Sequence, residues 1–435
     1  MREMKDSGIE WIGNIPIQWS TLPIRFLLSE HISGSWGNDE QHNDNDRICV
    51  RIADFDYSKI QFKENIDYTI RNYSTYEIYY KTLQIGDLLI EKSGGGEKTP
   101  VGRTVVYRLP YNALFANFMD CIRLKPEYNV EYIKYAFWAL YNNGITNLYY
   151  NQTTGIQNLN MTKYFREVKL TIPSIEEQVI VSNFLDERCT IINSLISDIQ
   201  SQIEVLEEYK KSLVFHVVSN GTRKSKLQNT ISDVWLTIPE NWKLVDIKYL
   251  FEIIKRIAGQ EGFDILSVTQ KGLKVKDIST NEGQIAESYA GYQFVYPTDY
   301  VMNHMDLLTG WVDCSTMFGV TSPDYRVFRL RDKENNDLTY FKYVMQCCYM
   351  SRIFYSLGQG VSNLGRWRLQ TSAFNNFMIP VPPLEEQREI AEYLDTKISE
   401  IDTIIADKQK QIETIEEYKK SLIFEYVTGK KEVEI

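Results

Sequence analysis

Apolar residues recur every seven positions along two widely separated stretches of the chain. In the first, Leu185, Ile192, Ile199, Leu206 and Leu213 hold the heptad, with Cys189, Ile196 and Ile203 four residues after the first three. In the second, Leu394, Ile401, Ile415 and Leu422 do the same, with Ile398, Ile405 and Ile412 between them. A seam of this period, flanked by charged positions, predicts two long coiled-coil helices. Lys210, Lys408 and Lys419 interrupt the seam. Pro173 and Pro382 precede the helices, and Glu176-Glu177 and Glu385-Glu386 occupy the first turns, where the helix dipole favours negative charge. Gly221 and Gly429 stand just past the far ends as stop signals. A narrow apolar stripe of this length needs a partner, and the two helices pair most economically with each other. Connectivity, not residue pattern, favours the antiparallel arrangement.

The two stretches are copies. Residues 173–218 align without gaps on 382–427, with 22 identities in 46 positions. The strongest block, Glu207-Glu208-Tyr209-Lys210-Lys211-Ser212-Leu213, returns as Glu416-Glu417-Tyr418-Lys419-Lys420-Ser421-Leu422. Ile15-Pro16 and Trp19 are echoed by Ile238-Pro239 and Trp242. Gly155-Ile156-Gln157-Asn158-Leu159 is echoed by Gly360-Val361-Ser362-Asn363-Leu364. Between these landmarks the halves differ in length and residues. Short β-prone runs such as Ile48–Ile52, Arg103–Tyr107, Asp264–Val268 and Tyr325–Leu330 are divided by Gly, Asn and Asp turns. Strands ending Arg123-Leu124-Lys125 and Arg329-Leu330-Arg331 each lead into a Tyr-rich helix. The expectation is an α+β tandem duplication with pseudo-two-fold symmetry. A first globular domain spans 1–173, a first long helix 174–221, a second domain 222–382, a second long helix 383–428 and a tail 429–435.

Composition changes this picture little, but the distribution of charge does. An apolar fraction of 43% and a charged fraction of 24% are those of a globular protein, not a disordered one. The net charge of −10, taken alone, argues against a nucleic-acid partner. Residues 174–218 and 383–427 nevertheless carry all of that excess acid, so the globular parts are balanced. A local basic face is all that phosphate contact requires. The charged N-terminus does not read as a signal peptide, and no run approaches a membrane span. Six cysteines without a CxxC pair read as reduced thiols, so a cytoplasmic location with no membrane partner is expected.

Catalytic signatures are missing. Lys92-Ser93-Gly94-Gly95-Gly96-Glu97-Lys98-Thr99 resembles a phosphate loop, but Glu97 stands where the Walker pattern requires glycine. The four histidines lack metal-ligand spacing, there is no GxSxG elbow, and Cys347-Cys348 reads as core. No catalytic, metal or cofactor residue is expected in this chain. Polar loops with interleaved bases supply the candidates instead. In the first half these are Lys92, Ser93, Lys98, Thr99, Arg103, Gln157 and Asn158. In the second they are Lys255, Arg256, Gln270, Lys271, Asn363, Arg366 and Arg368. Such side chains hydrogen-bond base edges and phosphates.

The order Ile-Pro…Trp, variable domain, Pro-x-x-Glu-Glu-Gln, long helix and Glu-Tyr-Lys-Lys-Ser-Leu, all twice, resembles the specificity subunit of a Type I restriction-modification system. The Gly94–Gly96 loop with Val101-Gly102-Arg103, and Val268–Gly272, are similar to loops of that family's target-recognition domains. The resemblance implies two such domains, each reading half of a bipartite site in double-stranded DNA, held apart by the helices. It implies two docked modification (methyltransferase) subunits that bind S-adenosylmethionine, and restriction subunits that use ATP and Mg. Two other readings stay open. One is the recognition component of a Type II-like restriction-methylation enzyme. The other is a coiled-coil adaptor for protein partners.

Overall fold

A computed structural model of the chain describes residues 2–96, 99–153, 156–277, 286–360 and 367–434. Two compact units emerge, Met1–Gln200 with Gln409–Ile435, and Ser201–Lys408. Their boundaries fall inside the two long helices, Ile175–Asn220 and Leu384–Val427, so each unit takes part of both. In the first unit Leu185, Cys189 and Ile192 share a core with Leu422, Ile423 and Val427, and Phe184 packs on Tyr426 at 4.5 Å. In the second, Val214, Val217 and Val218 share a core with Ile390, Ala391 and Leu394. In both cases the start of one helix meets the end of the other. The coiled coil is therefore antiparallel, and each fully buried seam side chain contributes about 1.5–3 kcal/mol. Gly221 and Gly429, at φ +75° and +69°, end the helices in the left-handed conformation that glycine adopts without cost.

The first unit centres on a four-stranded antiparallel sheet in the order Thr104–Val106, Leu88–Glu91, Met119–Leu124, Leu28–Ser33. The Tyr-rich helix Val130–Asn142 packs against it through Tyr132, Ile133, Ala136 and Leu140. A second sheet, in the order Ala113–Phe115, Asp46–Val50, Thr69–Asn72, Asn38–Asp39, closes a separate core. A three-stranded sheet, Ser93–Gly95, Ile156–Leu159, Tyr150–Thr153, extends beyond the end of strand Leu88–Glu91.

The second unit repeats the central sheet as Phe251–Ile254, Arg326–Leu330, Tyr300–Met302, Val312–Cys314, with the helix Leu338–Met350 against it. Cys347 and Cys348 are fully buried there, as the sequence pattern implies, and all six cysteines are free thiols. Register makes the correspondence between units explicit. Leu88 pairs with Ile122 and Ile90 with Asp120; Tyr300 pairs with Phe328 and Met302 with Arg326.

The repeated Pro-x-x-Glu-Glu-Gln segment explains itself at this level. Gln178 and Gln387 are each 1% exposed. Each donates from Nε2 to the proline carbonyl five residues back, Pro173 at 3.0 Å and Pro382 at 2.9 Å. Each also accepts at Oε1 from the backbone that caps the Tyr-rich helix, Asn129 at 2.9 Å and Asp337 at 2.8 Å. Tyr135 and Tyr343 donate to Asp186 and Asp395 of the long helices in the same way. These buried and partly buried hydrogen bonds lock domain to helix twice over. No helix among the described residues is long and apolar enough to cross a membrane.

Candidate nucleic-acid interface

In the first unit the chain leaves the central sheet at Glu91 and enters the glycine-rich loop. The amides of Lys92 and Ser93 both donate to the Phe118 carbonyl, at 2.9 and 3.3 Å. Leu159 N–H donates to the Lys92 carbonyl at 2.7 Å, tying the loop to strand Ile156–Leu159. Gly94 has φ +95°, which L side chains rarely adopt. A Cβ on Gly95 would stand 2.7 Å from the Thr99 carbonyl. The glycines thus serve the turn itself.

The polar side chains here largely satisfy one another. Asp120, 2% exposed, accepts from Lys92 Nζ at 2.6 Å and faces His31 Nε2 at 2.6 Å. Burial alone would raise its carboxyl pKa, but His31 and Lys92 outweigh burial and hold it below the ordinary carboxylate value. Ser93 donates to Asn158 Oδ1. Arg103 makes a bidentate pair with Glu91, at 2.7 and 2.8 Å, and lies 3.5 Å from the ring centroid of Tyr57. Tyr57 donates to the same carboxylate at 2.6 Å. Arg103 is therefore committed inside the domain. Gln157 is 9% exposed, and its Oε1 has no hydrogen-bond partner among the described residues. Thr99 is exposed, and its amide bonds to Gly96 at 3.2 Å. Lys98 lies outside the described residues. Phe118, half exposed beside Gly94, is an interface candidate that the sequence reading missed.

The second unit places different side chains on the same frame. Leu369 N–H donates to the His304 carbonyl at 3.0 Å, as Leu159 does to Lys92. Short helices, Thr371–Asn375 and Met161–Glu167, follow two residues later in each unit. His304, Arg326 and Arg368 thus occupy the positions of Lys92, Asp120 and Asn158. The sequence echo that set Asn158 against Asn363 is five residues out of step, because the backbone bond matches Leu159 with Leu369 rather than Leu364. Asn363 and Arg366 lie outside the described residues.

Arg326 is 4% exposed, and its guanidinium donates to the Leu369 carbonyl at 3.1 Å and Thr371 Oγ1 at 3.3 Å. It also lies 4.5 Å from the ring centroid of Phe374. Burial, with Arg368 adding to it, pushes its pKa down to about 10. His304, 7% exposed, is pushed down to about 3 by burial and by Arg326 and Arg368, so it is neutral near pH 7. Arg368 is exposed, with its backbone bonded both ways to Gln359. Trp367 packs on Tyr355 at 4.9 Å. Lys255 is exposed, whereas Arg256 pairs with Asp299 and sits 4.6 Å from the Tyr296 ring centroid. Gln270 and Lys271 form the exposed turn of the hairpin Leu266–Thr269 with Gly272–Val275.

Sequence reasoning also missed Asp120, His304 and Arg326. One signal could have found two of them. Aligning the strand ends Arg123-Leu124-Lys125 and Arg329-Leu330-Arg331 sets Asp120 directly against Arg326.

A family model described as Type I restriction modification DNA specificity domain matches residues 239–414. The chain is 27% identical over 300 residues to the type I restriction enzyme MjaVIII specificity subunit of Methanocaldococcus jannaschii, covering 64% of this chain and 65% of that relative. It is 24% identical over 442 residues to the putative MjaX specificity subunit of the same organism, covering 96% and 95%. Its fold matches a chain from a solved structure concerned with complex assembly and conformational transition of the type I R-M system. That match has a TM-score of 0.65 and 12% identity, and covers 95% of this chain and 98% of the other. The fold is that of the solved chain, and residues 239–414 match the specificity-domain model. Over nearly its whole length the chain is similar to a specificity subunit of a Type I restriction enzyme.

Proposed function

We propose that this chain is the sequence-reading subunit of a Type I restriction-modification complex, with each unit reading one half of an asymmetric, interrupted DNA site. The observation that carries this reading is the contrast between a shared frame and unlike side chains at the loop that leaves it. Lys92, Asp120 and Asn158 in one unit, and His304, Arg326 and Arg368 in the other, give the two loops different patterns of donors, acceptors and charge toward DNA. The candidate contacts are Lys92, Ser93, Lys98, Thr99, Gln157 and Asn158 in the first unit. In the second they are Lys255, Gln270, Lys271, Asn363, Arg366 and Arg368. Arg103 and Arg256 act from behind, by holding Glu91 and Asp299.

The chain itself performs no bond-making step in this reading. Methyl transfer belongs to two modification subunits carrying S-adenosylmethionine, docked on the long helices, and cleavage to restriction subunits using ATP and Mg. The acid of 174–218 and 383–427 then serves protein contacts and stays off the DNA. Mapping methyladenine in DNA from cells that carry this chain and its methyltransferase tests the proposal. Two unlike half-sites at a fixed spacing are expected. A palindromic site, or methyl transfer by the purified chain alone, would sink it.

A further inference from the structure

The two units differ most sharply in net charge at their three matching positions. In the first, Lys92 and Asp120 neutralise each other at 2.6 Å, and Asn158 is neutral. In the second, among the described residues no carboxylate lies within ion-pair distance of the Arg326 guanidinium, whose partners are a carbonyl, a hydroxyl and the Met302 sulfur at 4.0 Å. Burying a cation with only neutral partners is unfavourable unless an anion completes the site. His304 adds a second open valence, because its Nδ1 is buried and has no hydrogen-bond partner among the described residues. Arg368 brings a further cation, exposed to solvent and close enough to act electrostatically on both Arg326 and His304.

We propose that His304, Arg326 and Arg368 form an anion site in the second recognition unit that takes one backbone phosphate of bound DNA, with no counterpart in the first unit. This rests on the DNA-reading function proposed above. Arg368 contacts the phosphate directly. Arg326 supplies buried positive charge and, through Leu369 and Thr371, holds the segment that presents Arg368. Its neutral partners leave that charge uncancelled until the phosphate arrives. At the same frame positions the first unit has Lys92 paired with Asp120 beside the neutral Asn158, so no net charge is left there.

The test uses the full chain in complex with its modification subunits and a duplex of mixed sequence. Binding is measured over a range of KCl concentrations, and methylated positions are mapped separately. For Arg368→Ala, the slope of log affinity against log salt should become shallower by about 0.9, the release expected for one lost phosphate contact. The methylated sequence should stay the same. Asn158→Ala, the matching change in the first unit, should leave the slope where it was. Arg326→Met should reproduce the Arg368→Ala slope, compared only if its thermal unfolding matches the parent; Arg368→Ala alone decides the matter if it does not. An unchanged slope for Arg368→Ala overturns the proposal. So does relaxation of one base in the second half-site at constant slope, which would make Arg368 a base reader while leaving the DNA-reading function intact. Salt-independent or absent binding by the parent complex would overturn both.

Discussion

The long helices cross each other with the same lysine twice, and the two settings differ. Lys210 reaches Asp402 at 2.6 Å on a partly exposed surface. Lys419, its copy, reaches Asn193 at 2.7 Å, the residue that matches Asp402 in the repeat. Lys419 is 6% exposed and also donates to the Ser58 carbonyl, in a hairpin of the first recognition domain. Burial lowers its pKa, and no carboxylate answers it within ion-pair distance among the described residues. The same residue is a surface ion pair in one unit and a buried strut between helix and domain in the other. Duplication copied the position; the neighbouring domain set its role. Asp120 against Arg326 teaches the same lesson one layer further out.

The largest effect expected from probing this contrast is at Arg103. Arg103→Ala leaves Glu91, 2% exposed, without its charge partner, which typically costs about 3–5 kcal/mol. Denaturant unfolding followed by hydrogen exchange should show the first unit weakened and the second untouched. If stability holds and only the salt dependence of DNA binding changes, Arg103 is an interface residue after all.

Acid should act on the second unit through His304. Its folded pKa lies near 3 and its ordinary value is 6.5, so the unfolded chain binds the extra proton first as pH falls. Stability is full above pH 6.5 and declines toward pH 3, by about 1.4 kcal/mol per pH unit at most. Asp120, also held below its ordinary value of 3.8, keeps its contribution until pH drops under that figure. Unfolding at pH 5 should therefore begin in the second unit. His304→Gln should flatten the slope between pH 6.5 and 3, and a signal assigned to the His304 imidazole that titrates near 6.5 in the folded protein would contradict the assignment.

The lysine copies offer a smaller, direct comparison. Lys419→Ala removes two partly buried hydrogen bonds, which should cost about 1–3 kcal/mol. Lys210→Ala breaks a solvent-exposed pair worth about 0.2–1 kcal/mol. Equal losses in thermal or denaturant unfolding would mean that the two crossings are equivalent. The smallest change is expected at Phe118, half exposed at the loop edge. Phe118→Ala should leave stability within about 0.5 kcal/mol of the parent; a larger loss would place the ring in the core.

Much of this protein is written in local pattern. The heptads from Leu185 and Leu394, the prolines and glutamates at the helix starts, and the glycines at the ends specify two long helices, because helix periodicity and capping depend on residues only a few positions apart. Repetition of those segments reveals two copies of one frame for the same reason. Tertiary structure alone decides what the frame presents. Gln178 and Gln387 look like helix-surface residues until each is seen to hold a helix cap some fifty positions earlier in the chain. Arg103 looks like a basic loop residue until Glu91 and Tyr57 enclose it. Asp120 and Arg326 hide within strands, and Asn158 is matched to the wrong residue until Leu159 and Leu369 are seen bonding across the sheet. Charge at these positions depends on partners brought together from distant parts of the chain, and no local spacing encodes such a meeting.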